Sequence, residues 1–233
     1  MDRVTRSLLE EFKTGNQLQS LEESKLFEHF SGYLSIGRHY TETFSTSDIS
    51  VGSGSDAGID CIAIVVNGHL VTEPEEVEDL ASTNSFVDAT FVFVQSERSS
   101  SFDTAKIGQF AFGVTDFFQD RPQLPHNQRL KVFTRITKEI FDRSRLFKKG
   151  NPQCFIYYIT TGKWMGDQNL SARRNAARNN IEDLGIFRSV EFECLGAEDI
   201  QKMYRETQNA ISAEIVFSKR VVIPEIEGVE EAY

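Results

Sequence analysis

Asp60, Gln95 and Glu97 are the side chains of this 233-residue chain whose types and settings could do chemistry together. Asp60 follows a glycine-rich loop, Gly52-Ser53-Gly54-Ser55-Asp56-Ala57-Gly58, and stands inside the apolar run 59–66. A carboxylate buried without a partner costs several kcal/mol, so this one needs company. Gln95 and Glu97 stand where a second run, Ala89-Thr90-Phe91-Val92-Phe93-Val94, turns polar within one residue. Neighbouring strands that end in such groups offer hard oxygen donors to Mg²⁺ or Mn²⁺. An ion held there would polarise a phosphate and lower the pKa of its own water. Glu28, on a preceding helix, is a further donor, and Arg98 or Lys106 is the cation for developing negative charge. Each residue also has a plainer use. Aspartate often bonds a glycine loop, a strand-end amide usually bonds backbone, and Glu28 and Lys106 would ordinarily be solvated.

The elements that must position these groups follow from periodicity. Val4, Leu8, Leu9 and Phe12 predict a helix over 2–14, and Leu18, Leu21, Leu26, Phe27, Phe30 and Leu34 a second over 18–35. On that second helix Glu28 shares a face with Ser24, Ser31, Gly32 and Ser35, small neighbours that would leave it accessible. Loose alternation from Arg38 to Val51 predicts an outer strand, and 59–66 and 87–95 read as buried strands. Asn67-Gly68 signals a tight turn into a short arm, His69-Leu70-Val71, and the acidic tract Glu73 to Asp79 reads as a solvated loop or short helix. Ser99 to Asp103 supplies caps for a helix through Phe118, which Pro122 and Pro125 end. Beyond it come a helix over 128–147, a strand 153–160, a helix 168–184, a strand 190–195 and a helix 197–210. That alternation predicts parallel crossovers. Residues 213–217 and 220–224 read as further strand.

Composition sets the bounds. An apolar share of 39% with 19 Phe suits a globular fold rather than disorder, and the phenylalanines follow helical and strand periods. No apolar run approaches the ~18 residues of a membrane span, and Met1 to Arg6 lacks the apolar core of a signal peptide. The expectation is a cytoplasmic protein with no membrane contact. Cys61, Cys154 and Cys194 lie far apart in apolar segments, which suits reduced buried thiols. No Cys or His spacing suggests zinc, and His29, His39, His69 and His126 receive no role. A net charge of −10 argues against indiscriminate nucleic-acid binding while allowing a local basic cleft. Eight basic residues between Arg129 and Lys149, Arg135 among them, are a solvated face or a phosphate contact. Arg174 and Arg178 share one helix side and could grip phosphates. Trp164 beyond a strand is either a loop contact or packing.

Three stretches carry a resemblance when taken together: Gly54-Ser55-Asp56-Ala57-Gly58-Ile59-Asp60, then Phe91-Val92-Phe93-Val94-Gln95-Ser96-Glu97 with Ser101-Phe102-Asp103, then Tyr157-Tyr158-Ile159-Thr160-Thr161-Gly162-Lys163-Trp164. With the ending 223–233, they make the sequence resemble the PD-(D/E)xK nuclease superfamily in its Mrr-like form, where Gln takes the second motif position. It looks more closely like the N-terminal region of the AIPR proteins, the abortive-infection phage-resistance family. The resemblance implies an α/β, restriction-endonuclease-like mixed central sheet flanked by helices. Residues 1–35 would be N-terminal helices packing on the core, 36–211 the nuclease core, and 212–233 a strand segment leading to a missing C-terminal region. It further implies a Mg²⁺- or Mn²⁺-dependent nuclease of phage defence, acting on DNA or RNA, with a homodimer left open. Asp60, Gln95 and Glu97 would be its metal ligands, with Glu28 assisting and Lys106 as cation. Arg98, Arg135, Arg174 and Arg178 would contact nucleic acid. Glu97 departs from the pattern, which expects Lys there. Either Lys106 takes over from the following helix, or the fold serves as a sensing or protein-interaction module without catalysis.

Overall fold

Helix starts in this chain are written by side chains that accept from the first free backbone amides. Asp2 opens α1 (Arg3–Gly15), Ser45 α3 (Thr46–Ile49), Asp103 α5 (Thr104–Phe117), Asn127 α6 (Gln128–Asp142) and Asp167 α7 (Gln168–Glu182). Helix α2 (Glu23–Ile36) starts without a side-chain cap. In α4 (Pro74–Asn84), Glu73 and Glu76 form a reciprocal capping box, with Pro74 pre-set in the first turn. The acidic tract therefore caps and begins an 11-residue helix. The final helix, α8, spans Ala197–Gln208. The computed structural model describes residues 1–52 and 54–208; the expected strand segment over 212–233 lies outside them.

The apolar runs become β1 (Cys61–Val66), β2 (His69–Leu70), β3 (Ala89–Glu97), β4 (Gln153–Thr160) and β5 (Ser189–Leu195). They form one five-stranded sheet in the order β2-β1-β3-β4-β5. β1 pairs antiparallel with both β2 and β3, while β3–β4 and β4–β5 are parallel. The sheet is thus mixed, and the expected crossovers in the second half are present. Helices flank both faces. Alternation along β3 sends Phe91 and Phe93 into a core with α4, α5, α6 and α7. It sends Val92 and Val94 into a second core with α1, α2 and α8.

Two expectations are corrected. Residues 38–51 form no outer strand: the segment holds turns and the short α3, and only Ser50 bridges Cys61. His39 and Arg38 instead turn onto the sheet, with His39 Nε2 2.7 Å from the Tyr157 hydroxyl and its ring tilted against that of Phe155 at 4.0 Å, and Arg38 paired with Glu193 at 3.1 Å. Loose polar alternation had arisen from residues that cover a sheet face. The helix expected over 128–147 ends at Asp142, and a 3₁₀ turn, Ser144–Leu146, follows it.

Candidate functional site

Asp60 lies one residue before β1, and the register that sets Cys61 opposite Val94 carries it to the polar end of β3. Its amide donates to the Val94 carbonyl at 3.0 Å. Its carboxylate oxygen Oδ2 accepts from the Ser96 amide at 2.7 Å and from Ser96 Oγ at 2.9 Å. Those bonds aim the carboxylate at β3 rather than into the glycine loop. Asp56 takes the loop role instead, accepting from the Gly54 and Gly58 amides.

Glu28 faces Asp60 from α2. It is mostly covered, with 17% of its side chain exposed, and Lys25 Nζ donates to its Oε2 at 2.6 Å. Burial pushes the Asp60 carboxyl up to about 7, and the charge of Glu28 pushes the same way. The Ser96 bonds and Lys25 pull it down and do not prevail. Burial would lower the Lys25 ammonium, but its bond to Glu28 and the charges of Glu28, Asp60 and Asp56 hold it above the ordinary value. Asp60, Glu28 and Lys25 are thus one electrostatic unit, tied to β3 through Ser96.

The small residues of α2 do not serve to expose Glu28. A Cβ at Gly32 would stand 2.7 Å from Cys61 Sγ and 2.9 Å from Ile49 Cδ1, so Gly32 lets the helix press against β1 and brings Glu28 close to Asp60. Lys25 and Ser96 escaped notice in the sequence. The Lys25-x-x-Glu28 spacing, one turn apart on a helix, was the available signal for the first. For Ser96 there was none, since its part depends on strand register.

Glu97 and Lys106 pair with each other across the start of α5, with 22% and 45% of their side chains exposed. Glu97, rather than Asp60, is the group that Lys106 engages. Gln95 is half-buried, and its Oε1 is covered without a hydrogen-bond partner. A buried carbonyl oxygen without a donor suits a hard cation, as do the oxygens of Asp60 and Glu28. Among the described residues, no three His, Cys, Asp or Glu side chains gather as a ligand set; alternation along β3 gives Gln95 the α5 face and Ser96, which holds Asp60, the α2 face, so an ion shared by Asp60 and Gln95 would sit at the strand ends, between the two faces.

One side chain ties the glycine loop to α6. Asn127 Oδ1 accepts from the Leu130 amide at 2.8 Å while Nδ2 donates to Val51 O at 3.0 Å and Gly54 O at 3.1 Å. Its amide also donates to Ser55 O at 2.8 Å. Ser55 and Ala57, with φ of 52° and 56°, stay in the left-handed region that non-glycine residues disfavour.

The expected phosphate contacts are dispersed. Arg98 pairs with Glu23 at 3.0 Å, beside the first turn of α2. Arg178 pairs with Glu182 at 3.3 Å, and the Arg174 guanidinium sits over the Trp164 ring at 5.8 Å. On α6, Arg129 bonds the Asp48 carbonyl and Lys138 pairs with Asp142, and just beyond it Arg143 pairs with Glu139, so part of that basic run is neutralised locally. Arg135 is exposed.

These features define a mixed α/β protein: one five-stranded sheet between helical layers, with an acidic cluster and its lysine where β1 begins and β3 ends. No family model, no curated protein and no solved structure matches the chain. No helix of the described residues is long and apolar enough to cross a membrane.

Proposed function

We propose that this chain is a restriction-endonuclease-like nuclease domain of an AIPR-type abortive-infection protein, hydrolysing phosphodiester bonds of DNA or RNA in the cytoplasm. The observation that supports this reading is the register that seats Asp60 on Ser96 beside Gln95, with Glu28 and Lys25 facing it from α2. Asp60 and Gln95 would hold Mg²⁺ or Mn²⁺, with Glu28 and, once parted from Lys106, Glu97 assisting. When bound, that ion polarises the phosphate and supplies an activated water. Ser96 fixes the Asp60 rotamer with two donors. Lys25, which already answers Glu28 and Asp60, would balance negative charge in place of the strand lysine of the superfamily pattern. A C-terminal region and a second copy of the chain are proposed partners.

A second reading, a non-catalytic module of the same fold, draws on the Glu97–Lys106 pair, which occupies the cation that α5 offers. Plasmid and RNA cleavage in Mg²⁺ and Mn²⁺, compared with Asp60→Asn, decides between them. Wild type should cut and the variant should lose 10²-fold or more, since Asn keeps the Ser96 bonds but not the charge. Equal cutting by both sinks the site. No cutting, together with no Mg²⁺ uptake in calorimetry, leaves the second reading.

A further inference from the structure

A cleft of 790 Å³ lies between the segment Ser101–Thr104 and the first turns of α7. Phe102 and Arg173 line it, with Ala172 and Ala176 leaving its wall flat. A Cβ on Gly108 of α5 would meet Arg173 Nη1 at 3.4 Å, so the guanidinium lies along the α5 backbone. No carboxylate among the described residues lies within ion-pair distance of Arg173. Behind Phe102 stands Trp164, edge-on with ring centroids 4.8 Å apart.

We infer that this cleft receives an unstacked base of a single-stranded nucleic acid, with Phe102 and Arg173 supplying the stacking surfaces; the inference rests on the nuclease reading above. A planar ring stacked on an aromatic or a guanidinium is favourable whatever the base. The cleft also carries Asp103 and Asp167. Those carboxylates repel a free phosphate; their Oδ1 atoms cap α5 and α7, and Oδ2 of each is left to accept from the N–H groups on a base edge. Bases in a duplex have both faces covered, so the cleft selects single strands.

The cleft is also prebuilt. The Thr161 amide donates to Ser99 O at 3.1 Å, and Thr161 Oγ1 to the same oxygen at 2.9 Å. A Cβ on Gly162 would stand 2.3 Å from Ser100 O, so the two loops touch backbone to backbone. Little ordering remains to be done on binding. The segment Ser101–Thr104 begins four residues after Glu97, so a strand seated here runs on toward the end of β3, where Asp60 is anchored.

Trp164 is the sole tryptophan, and its emission reports on Phe102 directly. Fluorescein-labelled single-stranded DNA, single-stranded RNA and duplex DNA of mixed sequence are titrated into the full chain in EDTA, which stops cleavage. Single strands should quench Trp164 and bind at least tenfold tighter than duplex. Arg173→Ala and Phe102→Leu, checked for folding by circular dichroism, should each weaken single-strand binding about tenfold. Duplex binding as tight as single-strand binding, no quenching, or unchanged affinity in both cleft variants overturns the inference. A protein that binds single strands in this way but never cuts them retains the cleft and loses the nuclease; one that cuts while ignoring both cleft variants does the reverse.

Discussion

Asp60 stores a proton that the unfolded chain does not. Its carboxyl sits at about 7 in the fold, through burial and Glu28, against roughly 3.9 for an unperturbed aspartate. Between those values the native state holds the extra proton, so stability falls as pH rises from about 4 to 7 and stays reduced above that. Asp60→Asn keeps an acceptor for Ser96 and removes the charge. It should therefore melt several degrees higher than wild type at pH 8 and close to it at pH 4, given ~2–4 °C per kcal/mol for a chain of this size. A lower melting temperature for the variant at pH 8 would contradict this account. The sequence made Asp60 legible because a carboxylate inside an apolar run is conspicuous. Its neighbours were less so: Ser96 is ordinary until register puts it under Asp60, and Lys25 looked like any helix surface lysine.

Among the elements, the glycine loop owes its place to α5 and α6 as much as to its own residues. A Cβ on Gly113 would stand 2.0 Å from the Ala57 carbonyl oxygen, so α5 can lie against the loop only because that position is glycine. Gly113→Ala gains helix propensity but forces the loop away, and overpacking of this kind costs ~1–3 kcal/mol. Its melting temperature should drop by several degrees. Gly15→Ala, with nothing within 4 Å, should be neutral or slightly stabilising in the same scan. Equal behaviour of the two would show that the loop yields freely. Strands β1, β3 and β4 were legible because their apolar runs are continuous, and β5 because Val190, Phe192 and Cys194 alternate with Glu191 and Glu193. The segment 38–51 was misread because local alternation cannot tell an edge strand from a chain laid across a sheet. What decides is whether partners such as Tyr157 and Glu193 lie beneath it, and they come from over 100 residues away.

The whole molecule is two cores on one sheet, and this bears on whether residues 1–35 behave as a separate unit. Phe30 of α2 is buried with Val92 and Val94, while Phe133 of α6 is buried on the opposite face with Phe91 and Phe93. Successive residues of one strand therefore belong to both cores, and neither face can be stripped without exposing β3. Such coupling makes unfolding all-or-none. Urea unfolding followed by far-ultraviolet circular dichroism and by Trp164 emission should give coincident curves. Trp164 packs on the α5 side, yet Phe30→Ala, on the far face, should move its transition as much as that of the dichroism. Each of Phe30→Ala and Phe133→Ala should cost about 3–5 kcal/mol. If Phe30→Ala shifts the dichroism while leaving the Trp164 midpoint in place, α1 and α2 detach on their own, and Glu28 and Lys25 could then leave Asp60 without the rest of the fold being lost.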